Sequence, residues 1–342
     1  MNAALSTRLD AFTGLCAVAL GEAMLDSYLH GTSRRRCREG AAPVLDVEWQ
    51  DDFPGGAANT AANLGALGAR VRLLSAIGRD HEGRRLCASL RACGVPTANL
   101  YCARGRTTLT KQRLVAEGRL MVRFDRGSTG AIDPIAETWL ASRLTAAWQQ
   151  AQAVVISDYA YGVLTPALVT TLERLQATTP RVLVVDARHP TRYAQVGATV
   201  VKPNFAEAAE LLEEPLLPAD RVGWVEAHCD ALLARTGAAL VAVTLDSEGA
   251  IVCCREQGTL RIPALACPEC HPVGAGDTFA AALALALAAG AGTEEAMELA
   301  TVAAGVAVSS PGTARCSLDA LRTALTANAP FSLRCGGAES GN

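Results

Sequence analysis

The sequence predicts an α/β fold: a mainly parallel central sheet covered by helices on both faces, with a small β lid projecting from it. Three observations carry this. Short apolar runs such as Ala153–Ser157 and Arg181–Asp186, charged at most at their ends, alternate with longer Ala- and Leu-rich stretches of helical spacing. Strands buried on both faces read this way. Half of the residues are hydrophobic but only 4% are aromatic, which suits packed α/β layers better than a small all-β sandwich. Two more polar stretches, 27–49 and 107–126, break the rhythm with strand-like alternation.

Taken in order, Leu15–Leu20 is the first strand. Ala57–Leu67 has small and apolar residues at helical spacing, and Val71–Ile77 is a strand closed by Gly78. In the second polar stretch Thr107–Val115 alternates, Glu117-Gly118 turns the chain, and Leu120–Phe124 returns, the pattern of a hairpin. Strand Ala153–Ser157 leads to helix Pro166–Ala177, strand Arg181–Asp186, short strand Ala198–Lys202 and helix Phe205–Leu212. Ala239–Thr244 is a strand expected to have Ala250–Cys254 near it, and helices Thr278–Ala289 and Glu294–Ser309 follow. No repeat of 20–50 residues is evident. The expected organisation is one domain over residues 1–330, with the lid from about 27–49 and 107–126. Residues 331–342, rich in Gly and Ser, are expected to be a flexible tail.

A chain of 342 residues can bury a substantial core. With 31 basic and 34 acidic side chains and a net charge of -3, it lacks the basic footprint of a nucleic-acid binder. Ala11–Gly21 is apolar enough for a signal segment, but Asp10 offsets Arg8 just before it. Thr278–Thr293 is too short and glycine-interrupted to span a bilayer. No membrane association and a cytoplasmic location are expected. Most of the twelve cysteines read as small buried hydrophobes in a reducing compartment. Cys267-Pro268-Glu269-Cys270-His271 spells the c-type haem string, but haem needs export and a distal ligand, and zinc needs two more ligands. A redox-sensitive pair is the other reading of Cys267 and Cys270.

The chemistry concentrates in two strings. Val273-Gly274-Ala275-Gly276-Asp277-Thr278-Phe279 opens an apolar helix. Its glycines permit a tight turn that aims successive N–H groups outward at a helix N-terminus, where the dipole favours an anion by about 0.3–1 kcal/mol. Asp277 then lies in the first turn. It is either an ordinary cap or a base beside an anion hole, a pairing that suits phosphoryl transfer. No Walker A or G-x-G-x-x-G string is present. The second string, Pro54-Gly55-Gly56-Ala57-Ala58-Asn59-Thr60-Ala61-Ala62-Asn63-Leu64, is a loop-to-helix junction. Its small residues permit close approach of a ligand, and Asn59 is either a plain polar residue or a ligand contact.

Together, Gly55-Gly56-x-x-Asn59 before a helix and Gly274-Ala275-Gly276-Asp277 near the C-terminus resemble the ribokinase-like, pfkB-type carbohydrate kinases. The resemblance covers roughly Leu9 to Leu325. Gly21-Glu22-Ala23-Met24-Leu25-Asp26 resembles the family's first strand ending in a sugar-binding Asp. Lys202-Pro203-Asn204-Phe205-Ala206-Glu207 resembles its N-x-x-E element, and Thr244-Leu245-Asp246-Ser247-Glu248-Gly249 its nucleotide-binding strand and turn. Met24–Tyr28, Gly31–Ser33, Ala42–Val44, Lys111-Gln112-Arg113, Val122–Asp125 and Ser157–Gly162 further resemble heptose 7-phosphate kinases.

The resemblance implies a ribokinase-like three-layer αβα sandwich. It implies ATP-dependent phosphorylation of D-glycero-β-D-manno-heptose 7-phosphate at O1, feeding ADP-heptose and lipopolysaccharide core synthesis, with ATP and Mg²⁺. It implies Asp277 as base and the amides of Gly274, Ala275 and Gly276 as anion hole. Asp26, Gly55, Gly56 and Asn59 would bind the sugar. Lys111, Arg113 and Arg123 would supply cations, or else are solvated strand residues. Asp158 and Tyr159 follow a strand's carboxyl end, a common ligand position. Asn204 and Glu207 would organise Mg²⁺, Glu207 through water. Thr244, Asp246, Gly249 and Thr301 would serve the nucleotide. A homodimer is expected. Heptose kinases are often fused to a nucleotidyltransferase; a stand-alone form is expected here.

Some residues depart from the family. His271 and Pro272 stand where an Asp-containing pair usually helps to build a monovalent-cation site, with Val273 in place of a common Thr. His271 cannot replace that negative charge, so K⁺ activation is in doubt. Thr301 stands where these kinases commonly have Asn. Arg34–Arg38 is unusually basic, as an exposed loop or as extra phosphate-binding charge. The competing functions are a kinase for another sugar or sugar phosphate and a non-catalytic sugar-binding regulator.

Overall fold

The computed structural model describes residues 3–40, 42–214, 220–256, 258–265, 267, 270–309, 312–313 and 315–327. The expected tail at 331–342 and the domain end at 328–330 lie outside the described residues. In chain order the strands are β1 (Cys16–Gly21), β2 (Ala23–Arg36), β3 (Pro43–Gly56), β4 (Arg70–Gly78), β5 (Leu100–Ala103), β6 (Leu109–Ala116), β7 (Arg119–Arg126), β8 (Ala153–Asp158), β9 (Val182–Ala187), β10 (Val200–Val201), β11 (Leu240–Thr244), β12 (Ala250–Cys254) and β13 (Gly258–Ile262). The helices are α1 (Ala3–Ala11), α2 (Ala57–Ala66), α3 (His81–Ala92), α4 (Pro134–Trp148), α5 (Pro166–Thr178), α6 (Phe205–Leu211), α7 (Arg221–Thr236), α8 (Ala275–Ala288), α9 (Thr293–Val308) and α10 (Leu318–Ala327).

Nine strands form the central sheet in the order β13-β12-β11-β10-β9-β8-β1-β4-β5. From β11 to β5 every pairing is parallel, and β12 and β13 close one edge antiparallel. The two-residue period of a strand splits the core. Ala17 and Ala19 of β1 pack with α2, α3, α8 and α9 on one face. Val18 and Leu20 pack with α4 and α5 on the other, and α6 and α7 cover Val241, Val243 and Ile251. The result is the expected three-layer α/β sandwich.

β3, β2, β6 and β7 form a separate four-stranded sheet in that order. This lid is larger than 27–49 and 107–126. β2 leaves the core two residues after β1 ends, and β3 runs to Gly56 at the start of α2. Asp26 is therefore on the second strand, in the lid, and not at the end of the first. The register explains the change: Met24 to Gly31 pair continuously with Leu109 to Ala116, away from the central sheet. Arg34, Arg35 and Arg36 are exposed at the end of β2, with Arg35 bonded to Asp46 at 3.2 Å.

Candidate active site

Gly274 is the N-cap of α8, with φ of +84°, a conformation that costs an L-residue about 1–2 kcal/mol. A Cβ there would also lie 2.6 Å from Asn59 Nδ2. The turn directs the first amides of α8 away from any partner within the helix. Ala275 and Gly276 are partly exposed residues, and Ala275 N–H makes a long bond of 3.3 Å to Pro272 O.

Asp277 is not a cap. Its buried carboxylate turns toward α2 and accepts hydrogen bonds from Asn59 Nδ2 (2.8 Å), Thr60 Oγ1 (3.2 Å) and the Tyr159 hydroxyl (3.3 Å). Burial raises its pKa above the usual carboxylate value, against the pull of Asn59, Lys202 and Thr60. Asn63, one turn along α2, accepts from Thr278 Oγ1 (3.0 Å) and the Cys316 amide (3.1 Å), and donates to Asn59 Oδ1 (3.2 Å). The two strings singled out in the sequence thus meet side chain to side chain.

The lid closes one side. Gly55 faces Asp26 so closely that a Cβ would sit 2.6 Å from Asp26 Oδ2. Asp26 accepts from Arg113 Nη1 (2.8 Å) and Thr313 Oγ1 (3.2 Å), and the Asp26–Arg113 pair is buried. Lys111 Nζ lies 4.9 Å from the centre of the Tyr159 ring, and burial lowers its pKa. Arg123 is on the exposed β7, clamped by Asp125 at 2.8 Å. Asp158 turns inward: its oxygens accept from Tyr193 OH (2.6 Å), Arg192 Nη1 (2.9 Å) and Ala160 N–H (2.9 Å). Its carboxylate is thereby occupied within the fold, whereas its neighbour Tyr159 reaches Asp277.

A cavity of about 400 Å³ is lined by Asp158, Tyr159, Asp186, Lys202, Asn204 and Glu207, among others. Asn204 and Glu207 form a reciprocal capping box at the start of α6, each bond 2.9 Å. Their spacing therefore has a structural cause in addition to any ligand role. Sequence reasoning left out Asp186 and Lys202, which pair at 3.2 Å. Both stand beside Gly276, whose hypothetical Cβ is 3.4 Å from Lys202 Nζ. Burial pushes Asp186 up to about 7. Burial also opposes the Lys202 charge, but Asp186, Glu207 and Asp277 outweigh it and raise its pKa. The signal available was a lysine directly after an apolar strand.

The remaining residues are more scattered. Thr244 ends β11 and bridges to Asn204. Asp246 is exposed and paired to Arg221 at 3.1 Å, and Gly249 has φ of +95° where a Cβ would strike Ile262 O. Thr301 is buried on α9, its hydroxyl without a hydrogen-bond partner among the described residues. His271 is exposed and its amide is tied to Val308 O. Among the described residues no group of three or more His, Cys, Asp or Glu side chains is placed to hold a metal, and no helix is long and apolar enough to cross a membrane.

Glu22 was also missed. It is fully buried between β1 and β2, and its carboxylate accepts the amides of Tyr159 (2.7 Å) and Val163 (2.9 Å). Burial, then the nearby Asp158 charge, raise its pKa to about 7. The clue was an acidic residue at the end of an otherwise apolar strand.

The model of the pfkB family carbohydrate kinases matches residues 17–320. The chain is 36% identical over 327 residues to the bifunctional protein HldE of Caulobacter vibrioides, covering 92% of this chain and 64% of that one. It is 35% identical over 309 residues to the HldE of Geobacter metallireducens, covering 88% and 61%. The chain thus spans less than two thirds of the length of these curated relatives. Among solved structures it resembles Escherichia coli phosphofructokinase-2 in complex with potassium, with a TM-score of 0.74, 21% identity and 92% and 98% of the two chains covered. It also resembles Arabidopsis thaliana ribokinase complexed with ribose and ATP, with a TM-score of 0.70, 18% identity and 91% and 98% covered.

Proposed function

This chain belongs to the pfkB family of carbohydrate kinases, and from that premise we propose that it transfers the γ-phosphoryl group of ATP to O1 of D-glycero-β-D-manno-heptose 7-phosphate, forming the 1,7-bisphosphate and ADP. The observation that carries the reading is the buried Asp277 carboxylate at the mouth of a helix N-terminus, held by Asn59, Thr60 and Tyr159. The HldE likeness over most of the chain supports the heptose.

Asp277 accepts the O1 proton as O1 bonds to the γ-phosphorus and the bridging oxygen leaves with ADP. The amides of Gly274, Ala275 and Gly276 take the charge developing on the phosphoryl oxygens, where fixed donors need no reorganisation. Lys202, next to Gly276, adds a cation there. Asp26, Gly55, Gly56 and Asn59 orient the sugar hydroxyls. Of the three lid cations, Lys111 suits the 7-phosphate best: Arg113 is paired with Asp26 and Arg123 with Asp125, whereas Lys111 has no ion pair within 4.0 Å among the described residues. Asp158 acts by anchoring the loop that carries Tyr159.

Asp186, Asn204 and Glu207 line the cavity beside Gly276 with oxygen donors, the hard set that Mg²⁺ takes while keeping several waters. They would hold the ion with Glu207 acting through water, and Mg²⁺ would neutralise phosphate charge. Thr244, Asp246, Gly249 and Thr301 form the proposed nucleotide side. With His271 in place of an acid, no K⁺ activation is proposed.

Six of the seven exposed large hydrophobic side chains among the described residues are on the lid: Val47, Trp49, Leu120, Met121, Val122 and Phe124. That concentration supports a homodimer formed through the lid. The reading also places the enzyme in the cytoplasm, where ATP is available.

The test is incubation of purified protein with ATP, Mg²⁺ and the heptose 7-phosphate, with mass and NMR analysis of the product. A phosphoryl group at C1 supports the reading; turnover of an unphosphorylated sugar alone overturns it. The departures at His271 and Thr301 keep a second reading in play, a kinase for another sugar or sugar phosphate, and a substrate panel in the same assay separates the two.

A further inference from the structure

We infer that Glu22 is a positioning residue for phosphoryl transfer, acting on Asp277 through the loop that carries Tyr159. The inference rests on Asp277 as the base. Glu22 occupies the junction where the chain leaves the central sheet for the lid. Its amide donates to Ser157 O (3.2 Å), and its carbonyl accepts from Ala57 N–H (3.0 Å). Its backbone therefore joins the end of β8 to the start of α2, while its side chain reaches the loop after β8.

That loop is shaped by contacts from outside it, among them Arg106 Nη2 to Tyr161 O (2.9 Å) and Ile132 N–H to Gly162 O (3.0 Å). Ala160 has φ of +61° and Gly162 of +85°, and a non-glycine residue in this region is strained. It is anchored on one side by Asp158, which binds Ala160 N–H, Arg192 and Tyr193. On the other side Glu22 receives the amides of Tyr159 and Val163, one on each carboxylate oxygen. No cation lies within ion-pair distance of Glu22 among the described residues, so a fully buried carboxylate is kept here at a desolvation cost.

The consequence is felt at the base. The Tyr159 hydroxyl is 3.3 Å from Asp277 Oδ1, near the limit of a useful bond. Its ring is boxed between Gly56, where a Cβ would come within 3.1 Å, and Lys111 Nζ at 4.9 Å. Burial and Asp277 hold the phenol well above its ordinary pKa, so it stays protonated and donates. A small shift of the Tyr159 amide takes this donor off the base, and misplacement of about 1 Å can cost 10²-fold in rate. The titratable and charged groups facing Asp277 are Lys202 and Asp186 from the sheet side, Asp26 and Lys111 from the lid, and Tyr159. Those facing Glu22 are Asp158, Arg106 and Tyr193.

The test uses Glu22→Gln, which keeps the volume but presents an NH₂ to one of the two amides, together with Tyr159→Phe and the double variant. Each single variant is expected to lower kcat by about 10–100-fold, with KM for both substrates within about threefold. The double variant is expected to be no slower than the slower single one, because both changes remove the same donor. Losses that multiply in the double variant overturn the link. An activity-free arm follows the Asp277 carboxyl by ¹³C NMR titration: its pKa rises in both single variants if the donor is lost in both. A rise in Tyr159→Phe with none in Glu22→Gln overturns the proposal. An unchanged titration in Tyr159→Phe overturns it even if Glu22→Gln does not fold. Because this arm needs no substrate, a wrong sugar assignment is told apart from a wrong role for Glu22.

Discussion

At the residue scale, the site turns on a carboxylate taken out of water and then given donors. Asp277→Asn keeps the shape but removes the proton acceptor, and turns an NH₂ toward one of the donors that the carboxylate faces. It is expected to fold, with an unchanged circular dichroism spectrum, and to lose about 10²–10⁴-fold in kcat; unchanged turnover would refute the assigned base. Because burial raises the pKa of Asp277, the acid limb of kcat is expected above the pH at which an exposed aspartate would titrate. A pH–rate profile checks this.

Glu22 has a separate effect on stability. Its folded pKa is raised from 4.5 to about 7. Between those values the folded chain retains a proton that the unfolded chain has released, so stability falls as pH rises across the window. The penalty is absent below 4.5 and complete above about 7, where it is on the order of 3 kcal/mol. Melting temperatures from pH 5 to 8 measure it, and Glu22→Gln is expected to flatten that slope.

At the element scale, the start of α8 depends on Gly274. Gly274→Ala combines about 1–2 kcal/mol of left-handed strain with a Cβ 2.6 Å from Asn59 Nδ2. We expect a lower Tm and a lower kcat together, since the displaced amide is a donor to Asp277. Asn204→Ala removes the N-cap of α6 and is expected to cost about 1 kcal/mol, read by denaturant titration.

The buried strands were legible because two-sided burial leaves continuous apolar runs: β8 and β9 lie within a residue or two of Ala153–Ser157 and Arg181–Asp186. α4 has readable signals, Asp133 before Pro134 and the stripe Ala136, Leu140, Leu144. α3 has far weaker ones, since only Gly83, Leu86 and Leu90 are buried in an Arg-rich stretch. The lid strands were only partly legible. β7 is exposed along its whole length, so no buried face imposes a pattern on it.

At the scale of the whole molecule, the exposed apolar residues of the lid predict self-association. Light scattering should give twice the chain mass, and charged substitutions at Trp49 and Leu120 should yield monomers that remain folded. Monomeric wild-type protein at micromolar concentration would refute the lid dimer.

The sequence by itself determined the buried strands of the central sheet and the helices α2, α5, α6, α8 and α9, but not α1, α3, α4, α7, α10, β5 or β13. It also determined that Gly274-Ala275-Gly276-Asp277 opens a helix, because glycine content, apolar runs and first-turn position act over a few residues. Only the tertiary structure decided what those residues touch. Asn59 reaches Asp277 across 218 residues of chain and Tyr159 across 118, while Asp158, equally well placed in sequence, is bonded instead to Tyr193, Arg192 and Ala160. Such contacts depend on strand order: β1 lies between β8 and β4, which brings Glu22 beside the Tyr159 loop. The order of strands is set by the packing of the whole core, and no local run of residues records it.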